Sequence, residues 1–141
     1  MVLVCHVPHG CRSKKRVQRL WALLCRWAIQ EQCRLLDLAQ IHWRQTDIAD
    51  PALLGVMVAS DIVDLSPIRL FRSRLPHGHL VVVIVNPHLE LLVAVQRYSP
   101  CFVAVTERDD AAIPQVLTSV CRKFRQENLE GKFPKQKGGA S

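Results

Sequence analysis

No apolar run in this chain approaches the ~20 residues that a membrane-spanning helix requires. The longest, Leu80 to Val85, has the length of a strand. The opening residues, Met-Val-Leu-Val-Cys, lack the basic segment and apolar stretch of a secretory signal, so a cytoplasmic location is expected. There is no glycine-rich nucleotide loop and no Ser/His/Asp arrangement of hydrolase type. Aromatic residues make up 6 % of the sequence, and none interrupts its densest basic run. That argues against binding single strands by base stacking.

What the chain does have is enough apolar material for one core. It has 141 residues, 49 % of them hydrophobic, which suits a single globular domain. The six cysteines are Cys5, Cys11, Cys25, Cys33, Cys101 and Cys121. Four fall in apolar or amphipathic stretches, where a free thiol behaves as a small hydrophobe. A leaderless chain of this pattern is not expected to carry a disulfide framework. Net charge is +7, and Arg12, Lys14, Lys15, Arg16 and Arg19 crowd into eight residues. Such a patch can attract nucleic acid, a phosphorylated ligand or an acidic partner, or can simply be the solvated start of a helix.

Periodicity divides the chain into alternating elements. Val2 to Val7 reads as a strand, and Pro8-His9-Gly10 as a turn. From Lys14 to Gln32, Val17, Leu20, Trp21, Leu24, Trp27 and Ala28 recur at helical spacing, with Ser13 as the expected N-cap. Arg34 to Ile41 is a second strand candidate, and His42 to Pro51 a polar connection. Leu53 to Ala59 is apolar on both faces, as in the middle of a parallel sheet. Ser66-Pro67 should open a helix with Ile68, Leu70, Phe71 and Leu75 on its apolar side, ended by Pro76-His77-Gly78. Leu80 to Val85 is the fourth strand. A helix from Pro87 to Arg97 has its turns marked by Leu89, Leu92, Val93 and Gln96. Cys101 to Val105 is the fifth strand. The last helix spans Asp110 to Gln126, with Ile113, Val116, Leu117, Val120, Cys121 and Phe124 as its stripe.

Residues 1–126 are thus expected to form one three-layer α/β domain, with 127–141 a polar, disordered tail. Alternating strands and helices imply parallel pairing with right-handed crossovers. The expected arrangement is a flavodoxin-like, five-stranded sheet of order 2-1-3-4-5. Ligands in such folds bind beyond the carboxyl ends of the strands.

From Leu53 to Phe124 the chain resembles the receiver domains of two-component response regulators. Asp61 follows the third strand, where a receiver carries its phosphoacceptor. A Pro-led helix ending Leu-Phe-Arg-Ser-Arg-Leu-Pro, the strand Leu-Val-Val-Val-Ile-Val, the strand Phe-Val-Ala-Val and a final amphipathic helix follow at receiver spacing. The departures fall on the chemistry. In place of the acidic pair after strand one stand Cys5 and His6. In place of the Ser or Thr after strand four stands Asn86, and in place of Lys-Pro after strand five stands Thr106-Glu107. Mg²⁺ prefers oxygen ligands, and phosphoryl transfer to a carboxylate needs a cation. The resemblance therefore implies a degenerate pseudo-receiver, non-catalytic, with Asp61 reduced to a loop cap. It also implies a signalling role through a protein partner or homodimer. The family's usual partner face would here include Glu90, Gln96, Tyr98, Thr106 and Arg108.

The segment Cys5-His6-Val7-Pro8-His9-Gly10-Cys11-Arg12-Ser13 leaves alternatives open. Val4-Cys5 followed by Cys11-Arg12-Ser13 looks like the loop of low-molecular-weight phosphatases, with Cys5 as nucleophile and Arg12 on the phosphate. The interval from Cys5 to Arg12 is one residue longer than that family's. A phosphotransferase IIB carrier using Cys5 shares the layout. Cys5, His6, His9 and Cys11 are also potential Zn²⁺ or copper ligands, although adjacent Cys5 and His6 would point apart. The plainest reading is a loop without chemistry, and no metal or cofactor is expected. His42, His77, His79 and His88 sit at element edges, and Trp21 and Trp27 are expected in the core. Nucleic-acid binding through Arg12 to Arg19 is the third class of function.

Overall fold

The computed structural model describes residues 2–38, 53–106 and 108–123. Among the described residues there are five strands: β1 (Val2–His6), β2 (Arg34–Asp37), β3 (Leu53–Ala59), β4 (His79–Ile84) and β5 (Phe102–Val105). The helices are α1 (Lys15–Gln30), α2 (Leu65–Arg74), α3 (Leu89–Val95) and α4 (112–123). All strand pairs are parallel, in the order β2-β1-β3-β4-β5. This is the flavodoxin-like α/β arrangement that the alternating pattern predicts. Residues 39–41 of the second strand candidate, the connection 42–51 with His42 and Trp43, Glu107, Phe124 and the tail 127–141 lie outside the described residues.

Side chains of the central strands alternate between two helical layers. Leu3, Cys5, Leu54, Val56, Val58, Val81 and Val83 pack with Val17, Leu20, Leu24 and Trp27 of α1 and Ile113, Leu117 and Cys121 of α4. Val4, Met57, Ala59, Leu80, Val82 and Ile84 pack with Leu65, Ile68 and Phe71 of α2 and Leu91 and Val95 of α3. Both faces are covered, which is why these strands read as continuous apolar runs.

Several local expectations are corrected. The N-cap of α1 is Lys14, in extended conformation and without a side-chain cap bond, so Ser13 falls one residue too early. Trp21 is 37 % exposed rather than buried, whereas Trp27 is in the core. The helix α2 begins at Leu65 with Asp64 as N-cap, so Ser66 and Pro67 lie inside its first turn, where a missing N–H costs nothing. In α3 the buried residues are Leu91 and Val95, and the expected markers Leu89 and Val93 point outward. His88, not Pro87, starts α3, its Nδ1 accepting from the Leu91 N–H at 3.2 Å.

The end of α1 explains how a helix stops without glycine. Gln32 adopts φ 55°, and the N–H groups of Gln32 and Cys33 donate to the carbonyls of Ile29 and Ala28. That is a Schellman motif with a side chain at the left-handed position.

Two polar contacts fix the layers. Trp27 Nε1 of α1 donates to Thr118 Oγ1 of α4 at 3.0 Å. On the other face the Arg72 guanidinium, near the end of α2, donates to the carbonyls of Leu75, Pro76 and Gly78 and, beyond α3, to those of Tyr98 and Ser99. One side chain thereby ties the exits of α2 and α3 together. Phe71, fully buried, lays its ring on the β3 backbone at Gly55, where an added Cβ would come within 2.6 Å of the ring.

Candidate functional site

Parallel topology puts every β-to-α loop at one edge of the sheet, the edge where ligands bind in this fold. Cys5 ends up beneath α1, 1 % exposed. Burial, reinforced by the nearby Cys25 and Asp37, pushes its thiol far above the ordinary cysteine range. A nucleophilic cysteine needs the opposite environment, one that favours the thiolate. The loop beyond it is closed on itself. The N–H groups of Cys11, Arg12 and Lys14 donate to the carbonyls of Pro8, His9 and Cys11, so they do not converge on an anion. Arg12 turns towards β2, its Nε donating to the Val7 carbonyl at 3.4 Å and its Nη2 lying 3.9 Å from Asp37. Cys5 is thus sealed in the layer beneath α1, while the Arg12 side chain, on the surface, is engaged by Val7 and Asp37.

His6, at the end of β1, is half-buried, and its Nδ1 is shielded without a hydrogen-bond partner among the described residues. Burial lowers its pKa, Arg12 adds to that, and Asp37 and Asp64 oppose it. A buried thiol and a half-buried imidazole are a poor donor set for Mg²⁺. Among the described residues no group of three or more His, Cys, Asp or Glu side chains could hold a metal ion. His9 and Gly10 are exposed, and Cys11 is buried.

Asp61 lies two residues beyond the end of β3 and is exposed. Its Oδ1 accepts from the Ile62 N–H at 2.7 Å. Asp64 Oδ2 in turn accepts from the N–H groups of Ser60 and Asp61 at 2.8 and 2.9 Å. The two carboxylates form a capping box for the 3₁₀ turn Ile62–Asp64. Asn86 Nδ2 donates to Ser60 Oγ across the same edge. After β5, Asp109 Oδ2 accepts from the Val105 N–H and from the adjacent Arg108 guanidinium, and these bonds hold its carboxyl below the usual carboxylate range. The polar groups of this edge mainly terminate strands and start turns.

Of the expected partner face, Thr106 is a correction. It is 4 % exposed, because the strand-end N–H of Thr106 still pairs with the Ile84 carbonyl and draws the side chain into the layer. Glu90, Gln96 and Arg108 are exposed, Tyr98 is half-buried, and Arg108 is engaged by Asp109. The basic patch is also divided. Lys15 and Arg19 are exposed, Lys14 is half-buried, and Arg16 reaches across to the Val85 carbonyl at 3.3 Å. Beside this patch a cavity of about 250 Å³ is lined by Val7, Arg12, Val17, Gln18, Trp21 and Asp37.

A larger feature lies on the opposite face of the sheet, where helical spacing alone does not place it. Between α2 and α3 runs a groove of about 690 Å³. Ile62, Leu65, Ser66 and Arg69 form one wall; Leu89, Glu90, Val93, Ala94 and Arg97 form the other, with Tyr98 at its end. Leu89 is 77 % and Val93 58 % exposed. The signal was present in the sequence: α3 carries apolar residues on two faces, Leu91 and Val95 on one and Leu89 and Val93 on the other, more than a one-sided helix needs.

No protein-family model matches the chain, and no curated protein matches it. Among solved structures the fold is similar to that of a Burkholderia pseudomallei protein named as pilus assembly-related, with a TM-score of 0.53 and 19 % identity over 85 % of this chain and 89 % of that one. At that identity the likeness speaks for the fold alone.

Proposed function

We propose that this chain is a receiver-like domain that has no phosphorylation switch and works by binding a protein partner. The observation that carries the reading is the state of the sheet's loop edge. Asp61 is occupied as a turn cap, Cys5 is sealed beneath α1, and the position that a receiver fills with its acidic pair holds a thiol and an imidazole. A carboxylate that must accept a phosphoryl group needs a cation beside it to offset the converging negative charge, and hard oxygen donors to hold that cation. Neither Cys5 nor His6 supplies them. The large exposed apolar side chains instead point to association as the source of function.

The test is a titration with Mg²⁺ and beryllofluoride, which mimics a phosphorylated aspartate, followed by amide NMR shifts around Asp61. The expected result is no saturable change at Ser60, Asp61, Asn86 or Thr106. Saturable shifts there, abolished by Asp61→Asn, would overturn the reading and restore a working phosphoacceptor.

A further inference from the structure

We infer that the groove between α2 and α3 is the docking site for an amphipathic helix of a partner protein. That helix carries acidic residues in its N-terminal turn and an apolar stripe behind them. The inference rests on the protein-binding reading above and names its surface and its ligand.

The groove has the form that such a helix needs. Its two walls are helices that both run opposite to the parallel strands, so they are parallel to each other. Along α2 the lining residues are Leu65, Ser66 and Arg69; along α3 they are Leu89, Glu90, Val93 and Ala94, continued by Arg97 in the 3₁₀ turn Gln96–Tyr98. These are the i, i+4 rows of two neighbouring helices, and Ser66 and Ala94 are small enough to let a third helix sit deep between them. From Leu89 through Val95 and on into the 3₁₀ turn at Arg97 the wall is about 13 Å long at 1.5 and 2.0 Å per residue, room for two to three turns of a partner. Arg72 clamps the exits of both walls through five carbonyls, so the groove is held open in advance of binding.

Charge selects the occupant. The end nearest the loop edge is apolar, with Ile62 and Leu89, and carries Glu90. Further along, Arg69 and Arg97 stand on opposite walls, and among the described residues neither has a carboxylate partner. A helix entering with its N-terminal turn between the two arginines sets the acidic side chains of that turn against both guanidiniums, and these full negative charges outweigh the roughly half positive charge of the helix's own N-terminus. Its C-terminal turn then meets Glu90, where a basic residue fits. A second copy of this chain is disfavoured, since its net charge is +7 and Arg69 and Arg97 would face a cationic surface.

The experiment is selection from a phage library of helix-biased random peptides on the intact protein, with counter-selection on Val93→Asp. Enriched peptides should carry apolar residues at i, i+4 and i+7 and Asp or Glu in the first turn. A soluble enriched peptide, followed by fluorescence polarisation, should bind about 10-fold more weakly to Leu89→Asp or Val93→Asp. It should bind about 5-fold more weakly to Arg69→Glu or Arg97→Glu, with the loss shrinking at high salt. Both apolar positions are exposed, so circular dichroism should show unchanged folding. Failure to enrich peptides of this pattern, or binding indifferent to the groove variants, overturns the inference. Loss of binding on Arg108→Glu in place of the groove variants moves the docking surface to β5 and α4, leaving the protein-binding reading intact. Sedimentation that reveals a dimer broken by Val93→Asp also overturns it, because a second copy then fills the groove. The beryllofluoride titration judges the underlying reading independently.

Discussion

The two faces of the sheet are built from the same strands and finished differently. On one, α1 and α4 meet and are joined side chain to side chain by Trp27 and Thr118. On the other, α2 and α3 are joined at their exits by Arg72 and stand apart above it, leaving the groove. The difference follows from α3. It is a helix of seven residues whose inner face is satisfied by Leu91 and Val95, so Leu89 and Val93 have nothing left to cover. A closed layer stabilises the fold alone. An open layer keeps apolar area in water, at roughly 25 cal/mol per Å², a cost that a partner can recover on binding.

The comparison breaks most sharply at Phe71. Phe71→Ala should lower stability by about 3–5 kcal/mol in urea unfolding, since it empties the centre of the α2–α3 layer. Gly55→Ala attacks the same contact from the strand side. Its Cβ would lie 2.6 Å from a ring that is fully buried and has no free direction to move, so overpacking should cost about 1–3 kcal/mol. If Gly55→Ala proves neutral, the ring is less confined than its burial implies, and this layer is looser than the one under α1. The closed face gives a smaller effect. Thr118→Val keeps the shape but strands the buried Trp27 N–H, at about 1–2 kcal/mol. It should leave peptide binding in the groove unchanged, which separates the two layers experimentally.

The sequence made much of this legible, and the misses have physical causes. Strands β3 and β4 announce themselves because both faces are buried, so that Val56 to Ala59 and Leu80 to Ile84 are uninterrupted apolar runs. The stripe of α1 is readable because five of its six expected positions face the core; Trp21 escapes because it sits beside the cavity next to Arg12 and Asp37. In α3 spacing alone leaves the phase open. Leu89, Leu92 and Val93 have helical spacing as good as that of Leu91 and Val95, and only packing against Leu80, Val82 and Ile84 decides between them. That same ambiguity conceals the groove, since an inner stripe through Leu89 and Val93 would leave no apolar wall facing α2. The receiver resemblance puts Thr106 on the partner face, but the β4–β5 ladder continues one residue further and buries it. The loop from Cys5 to Ser13 suggested chemistry by residue type, whereas its backbone bonds and the burial of Cys5 depend on atoms far along the chain.

The smallest predicted effect concerns His6, the last residue of β1, which by strand alternation follows Val4 onto the α2–α3 side. The groups that act on it are Arg12, which resists its protonation, and Asp37 and Asp64, which favour it; burial outweighs them and lowers its pKa from the ordinary 6.5. The folded protein then holds this proton less readily than the unfolded chain does. The stability tied to neutral His6 is therefore complete above about pH 6.5 and declines as pH falls through and below that value. Thermal unfolding of wild type between about pH 7.5 and 5 should show that decline, and His6→Gln should flatten it. Parallel curves for the two proteins would place the acid sensitivity elsewhere. If the decline also weakens peptide binding in the groove in wild type and not in His6→Gln, then the strand end and the open layer are coupled through Asp64, whose carboxylate caps the turn that carries Ile62 into the groove wall.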